Sequence, residues 1–162
     1  MRLRGAFVFL IAALIGARAS VVFAADGPLT SIPQRAQGAE RIVVATVQTL
    51  TTSFETNDYG DHLIVSHLHL AIEETLKGTP QASLPIDVTG GTAGGVTLRV
   101  SSLPTMAAGE RAVFFLERDR KGVLVPHLRG QGILKLDSMN RIKGSQLTLD
   151  DVRRLAAVLG GR

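Results

Sequence analysis

Between Leu76 and Leu116 the chain breaks short apolar and β-branched runs with glycine, a rhythm that strands joined by tight turns produce and helices do not. Leu76-Lys77-Gly78 opens the stretch, Gly90-Gly91-Thr92-Ala93-Gly94-Gly95 divides it, and Gly109-Glu110-Arg111 leads into Ala112-Val113-Phe114-Phe115-Leu116. That last run is apolar at every consecutive position. A strand without a polar face is buried on both sides, so it is expected at the centre of a sheet. Phe114 and Phe115 then point to opposite faces, one into the interior and one toward a covering element.

The flanking segments agree. Glu40–Phe54 is rich in β-branched residues and predicts a long first strand, able to bend or to pair on two sides. Residues 55–61 form a polar turn. His62–Leu76 alternates, with Ile64, Leu68, Leu70, Ile72 and Leu76 inward and Val65, His67, His69, Ala71 and Glu73 on the other face. Leu84–Val88, Val96–Val100, Val123–Val125 and Gly132–Leu136 follow as short strands. Only the tail changes period. Thr148 and Asp151 have capping-box spacing, and Val152, Leu155, Ala156 and Leu159 recur at helical intervals, with Val152, Leu155 and Leu159 as the cover expected over the outer phenylalanine. The fold class is all-β: a small OB-like barrel or barrel-like sandwich of six to seven strands with one C-terminal α-helix.

The N-terminus reads as an export signal. Arg2 and Arg4 precede an uncharged run of 13 residues, Gly5–Ala17, and Val22-Phe23-Ala24 supplies a cleavage pattern. A membrane span needs about 20 apolar residues, and Arg18 interrupts this run, so a removable signal over 1–24 is expected rather than a stable span. Residues 25–39, with two prolines and two glycines, read as a flexible lead-in to one domain at 40–162.

This division changes the charge argument. The whole chain carries +4, but three of its 18 basic residues (Arg2, Arg4, Arg18) and none of its 14 acidic ones lie in the signal. What remains is nearly neutral and poor in aromatics, which removes the support for a nucleic-acid partner. No cysteine is present. Disulfides, thiol nucleophiles, thiolate metal sites and a lipidated cysteine are therefore excluded.

The succession Ile42-Val43-Val44-Ala45-Thr46-Val47, Leu76-Lys77-Gly78, Gly90-Gly91, Gly109-Glu110-Arg111 with Phe114-Phe115-Leu116, and Gly130-Gln131-Gly132 resembles a loose group of exported bacterial β domains of unassigned function. Their pattern is V-x-G-x-V, L-K-G, G-G and G-E-R. More distantly it is similar to the netrin-like OB-fold domains, in which a strand ends in K-G before a barrel crossover. The resemblance covers 41–136 and implies the barrel. Ala45 stands where the group has glycine. The cysteines through which netrin-like inhibitors act are missing, so protease inhibition does not carry over.

Chemistry has few candidates. His67 and His69 share one strand face at a spacing that suits zinc or copper if His62 or Glu73 joins them; the alternative is a solvated strand face. Glu55, Asp58 and Asp61 offer oxygen ligands in a turn, without EF-hand spacing. The Gly90–Gly95 loop has glycines for an anion cradle but no following lysine or helix, which favours a hairpin connection. Glu110 beside Arg111 or Arg99 is the one acid–base pairing in view, and Ser66, Ser101 and Ser102 have no triad context. No catalytic residue and no cofactor are assigned. These features point to an exported, non-enzymatic binding or assembly module, periplasmic or extracellular, for an unidentified protein or envelope component. The alternative is a metal-dependent or hydrolytic enzyme working from the His67/His69 face.

Overall fold

The structure is a computed structural model and describes residues 31–57, 59–101 and 103–160, the side chains of 159 and 160 excepted. The signal expected at 1–24 therefore lies outside the described residues. So does Leu159 as a covering side chain.

The described residues begin with a helix, α1 (Ile32–Gly38), in part of the segment read in the sequence as a flexible lead-in. Ser31 caps it: its Oγ accepts from the Gln34 N–H at 3.4 Å, and Gln34 Oε1 accepts from the Ser31 N–H at 3.1 Å. Pro33 sits in the first turn, where its missing N–H costs nothing. Two long strands follow, β1 (Arg41–Thr56) and β2 (His62–Lys77). After them come β3 (Ser83–Thr89), the short hairpin β4 (Gly91–Ala93) and β5 (Val96–Leu98), then β6 (Arg111–Arg118), β7 (Leu124–Pro126) and β8 (Ile133–Lys135). Helix α2 (Leu149–Gly160) ends the described chain.

The main sheet is antiparallel, in the order β3-β2-β1-β6-β7, with β8 sharing the outer edge of β6 beside β7. β4 and β5 make a separate two-stranded sheet. The mostly-β class and the C-terminal helix expected from the sequence are present. The closed barrel is not: the hydrogen-bonded path ends at β3 and β7, whose Cα atoms approach within 8 Å without a ladder among the described residues. The sheet curls toward closure and stops at a seam.

Two apolar layers sandwich the sheet. Val43, Ala45 and Val47 of β1 join Leu68, Leu70, Ile86, Phe114 and Leu116 on the inner, concave side. Ile42 and Val44 join Phe115, Leu149, Val152 and Ala156 beneath the two helices. Phe114 and Phe115 are both 0% exposed, one in each layer. The two-faced strand thus matches its sequence pattern, and Leu149 and Ala156 cover Phe115 alongside Val152 and the half-buried Leu155.

β-Bulges tune which face each side chain takes. Val44 pairs with Glu74 and Ala45 with Ile72, leaving Glu73 as an extra residue. One extra residue reverses the alternation that follows. Ile72 accordingly packs on the inner layer while Leu76 packs beneath the helices, although the sequence placed both on one face. Glu74 is thereby turned toward α2, where Arg153 donates to it at 2.6 and 3.0 Å. Lys77 Nζ reaches the end of α1 and donates to the carbonyls of Ala36 and Ala39 at 2.9 and 2.6 Å. A cation there satisfies helix carbonyls left without intrahelical partners.

Removing a buried phenylalanine typically costs about 3–5 kcal/mol, of roughly 5–15 kcal/mol available to a domain. Phe114→Ala and Phe115→Ala should each lower the urea midpoint sharply. A silent result for either would mean that its face is open to solvent and that one of the two layers is not formed.

Candidate functional site

A four-residue polar cluster lies on the outer face of β1, β2 and β3. The register places His67 directly opposite Asp87, and Ser53 diagonally across on β1. His67 Nδ1 lies 2.8 Å from Asp87 Oδ1, and Nε2 lies 3.0 Å from Ser53 Oγ and 2.9 Å from Glu55 Oε1. Hydroxyl, imidazole and carboxylate therefore meet in the order that a nucleophilic relay uses.

Two features weigh against that use. Each imidazole nitrogen has a carboxylate partner, so the favoured state is an imidazolium donating to both acids rather than a base ready for the Ser53 proton. The Asp87 hydrogen bond raises the His67 pKa above the ordinary imidazole value; burial opposes this, and the charges of Asp87 and Glu55 add to the rise. In addition, ladder N–H groups lie in the plane of the sheet, so they do not project onto its face as oxyanion donors. The arrangement works first as a clasp across three strands.

The other candidates separate. His69 Nδ1 pairs with Gln48 Oε1 at 3.1 Å and His62 Nδ1 with Thr56 Oγ1 at 3.1 Å. His127 lies against Glu117 at 2.7 Å, on the β6–β7 side. Glu73 is held by Arg111 and Thr46. His67 and His69 therefore share a strand but not a ligand set, and no group of three or more metal-binding side chains occurs among the described residues. In the polar turn, Asp61 accepts from Asn57 Nδ2 and Glu55 is turned to His67; Asp58 lies outside the described residues. Glu110 and Arg111 diverge. Burial raises the Glu110 pKa, but Lys135 at 2.7 Å from both oxygens and the Ala107 N–H hold it below the ordinary carboxylate value.

The concave face carries a different feature. The glycine loop is a hairpin: Gly94 and Gly95, at φ +55° and +79°, make its turn, the pair of left-handed positions that suits a two-residue connection. Side-chain hydroxyls dock it on the main sheet. Ser66 Oγ donates to the Gly90 carbonyl and Thr52 Oγ1 to the Thr92 carbonyl, both at 2.5 Å. Only glycine fits at 91, since a Cβ there would lie 2.5 Å from Ser66 Oγ and 2.8 Å from Thr52 Cγ2. Between the hairpin and the concave face is a cavity of about 550 Å³, with Leu50, Leu68, Val88, Leu98 and Met106 among its walls and Arg99 at its border. A second cavity of about 480 Å³ follows the seam and shares Thr89, Val100 and Leu103 with the first.

Neither protein-family models nor curated proteins give a match to this chain. No helix among the described residues is long and apolar enough to cross a membrane.

The sequence does not single out Ser53 or Asp87, and it offers Glu55 only as a turn ligand, because the three meet His67 only through the register of three strands. The clasp has a pH signature. A raised folded pKa gives stabilisation that is fully present below the ordinary imidazole value, about 6.5, and is lost as pH rises through the raised value. The thermal midpoint of the wild type should exceed that of His67→Gln most near pH 6, and the gap should close toward pH 9. A gap that does not change with pH would contradict the clasp.

Proposed function

We propose that the chain is an exported, non-enzymatic binding or assembly module, periplasmic or extracellular after loss of residues 1–24. The concave cavity beneath the β4–β5 hairpin carries this reading. Its volume falls in the range of small-ligand sites, about 300–1,000 Å³, and its lining, in which apolar side chains alternate with seven Ser and Thr residues and Arg99, suits an uncharged group of a ligand or partner that is part apolar and part hydrogen-bonding. The curl of the sheet and the approach of β3 to β7 support an OB-like relationship with the exported β domains that the sequence resembles. The Arg2/Arg4, Gly5–Ala17 and Val22–Ala24 pattern supports export.

A second reading, hydrolysis at Ser53–His67–Asp87, is favoured by the 3.0 and 2.8 Å contacts of the relay and opposed by Glu55 on the same nitrogen as Ser53. Two measurements separate the readings. The apolar fluorophore N-phenyl-1-naphthylamine should bind the wild type, and Leu98→Asp, with an unchanged circular dichroism spectrum, should bind it about tenfold more weakly. Turnover of p-nitrophenyl acetate should not differ between the wild type and Ser53→Ala. No fluorophore binding by the wild type would remove the cavity reading, and ester turnover lost in Ser53→Ala would install the hydrolytic one.

A further inference from the structure

β1 has 16 residues, yet β6 pairs only with Arg41–Thr46. Two backbone bonds at Val47, to Glu110 and from Gly109, finish that edge. From Gln48 to Thr56 the same edge has no ladder among the described residues. A strand edge of nine residues presents unpaired N–H and C=O groups to any strand that meets it, and proteins usually protect such edges with lysine, proline or a central bulge. Here the sequence is QTLTTSFET, without lysine or proline. The bulge at Gln48 lies at the start of the free segment, and the register runs unbroken from Thr49 to Thr56.

We infer that this edge pairs with the same edge of a second copy, antiparallel about a two-fold axis at Thr52. This register is self-complementary. It sets Leu50 opposite Phe54 twice, on the face that Thr52 shares, and so covers Phe54, which is 56% exposed in the single chain. It sets Thr51 opposite Ser53, and Thr49 opposite Glu55, the one charge on the edge. No like charges meet. Apolar and hydroxyl pairs directly opposite each other are the contacts that stabilise antiparallel strands, and a closed two-fold leaves neither β1 edge free. This interface shares Leu50 and Thr52 with the lining of the concave cavity but rests on the backbone edge, so failure of the cavity to bind an apolar probe leaves it standing.

The absence of cysteine allows a direct test. Opposed residues of an antiparallel pair have Cα atoms about 4.5–5.5 Å apart, within disulfide reach. Thr52→Cys should therefore cross-link to itself on mild oxidation, whereas Gln48→Cys, whose copies sit at opposite ends of the paired segment, should not. In sedimentation velocity the wild type should show concentration-dependent dimer. Thr49→Lys, which faces Glu55 of the second copy, should tighten it by about 3- to 10-fold, and Thr49→Glu should weaken it by a similar factor. Thr49 is exposed, so neither change burdens folding of the single chain. A monomer at every concentration, or a dimer indifferent to both Thr49 substitutions and without the Thr52→Cys cross-link, would overturn the proposal.

Discussion

The first half of β1 is where every layer of the structure meets. Residues 42–46 pair with β2 on one edge and β6 on the other, and the side chains of Ile42 to Ala45 alternate between two apolar layers. Side chains so placed have no polar outlet, which is why the segment reads Ile-Val-Val-Ala before Thr46 and why β6 beside it reads Ala-Val-Phe-Phe-Leu. Burial of these side chains on both faces supplies the main drive for folding, and the two ladders satisfy the backbone groups that burial takes from water. The helices and the segment 136–148 act as a lid on one face, bound through Leu149, Val152, Leu136 and Ile142.

Beyond Val47 the same strand changes character. β6 leaves its edge, the helices do not reach it, and polar contacts replace apolar ones. The outer face closes with the His67 clasp; the inner face receives the hydroxyl-docked hairpin. The bulges at Glu73 and Gln48 mark the two sides of this change. A rigid, doubly covered end thus supports an exposed end, and the features available for recognition (cavity, seam and free strand edge) gather on the latter.

The parts legible in the sequence were those that depend on neighbours along the chain. Five consecutive apolar residues announced the central strand, and Thr148 with Asp151 announced α2, where the Asp151 carboxylate accepts from the Thr148 N–H at 2.8 Å. The alternation of β2 held through Ile72 and failed after it, because a bulge depends on the partner strand. α1 was missed for its length: seven residues with a proline inside show no period, although Ser31 and Gln34 already had the spacing of a capping box. His67-x-His69 drew attention to metal because two residues of one strand are visible together. The actual partners, Asp87, Glu55 and Gln48, come from other strands and became visible only with the register.

The division of β1 into a doubly paired and a singly paired half is the claim on which the rest stands, and amide hydrogen exchange resolves it residue by residue. At concentrations where the chain is monomeric, every amide from Ile42 to Thr46 and from Ala112 to Phe115 should exchange slowly. From Thr49 to Glu55, slow amides facing β2 should alternate with fast ones facing the open edge. Unbroken protection through Thr49–Glu55 in the monomer, or rapid exchange within Ile42–Thr46, would contradict the account.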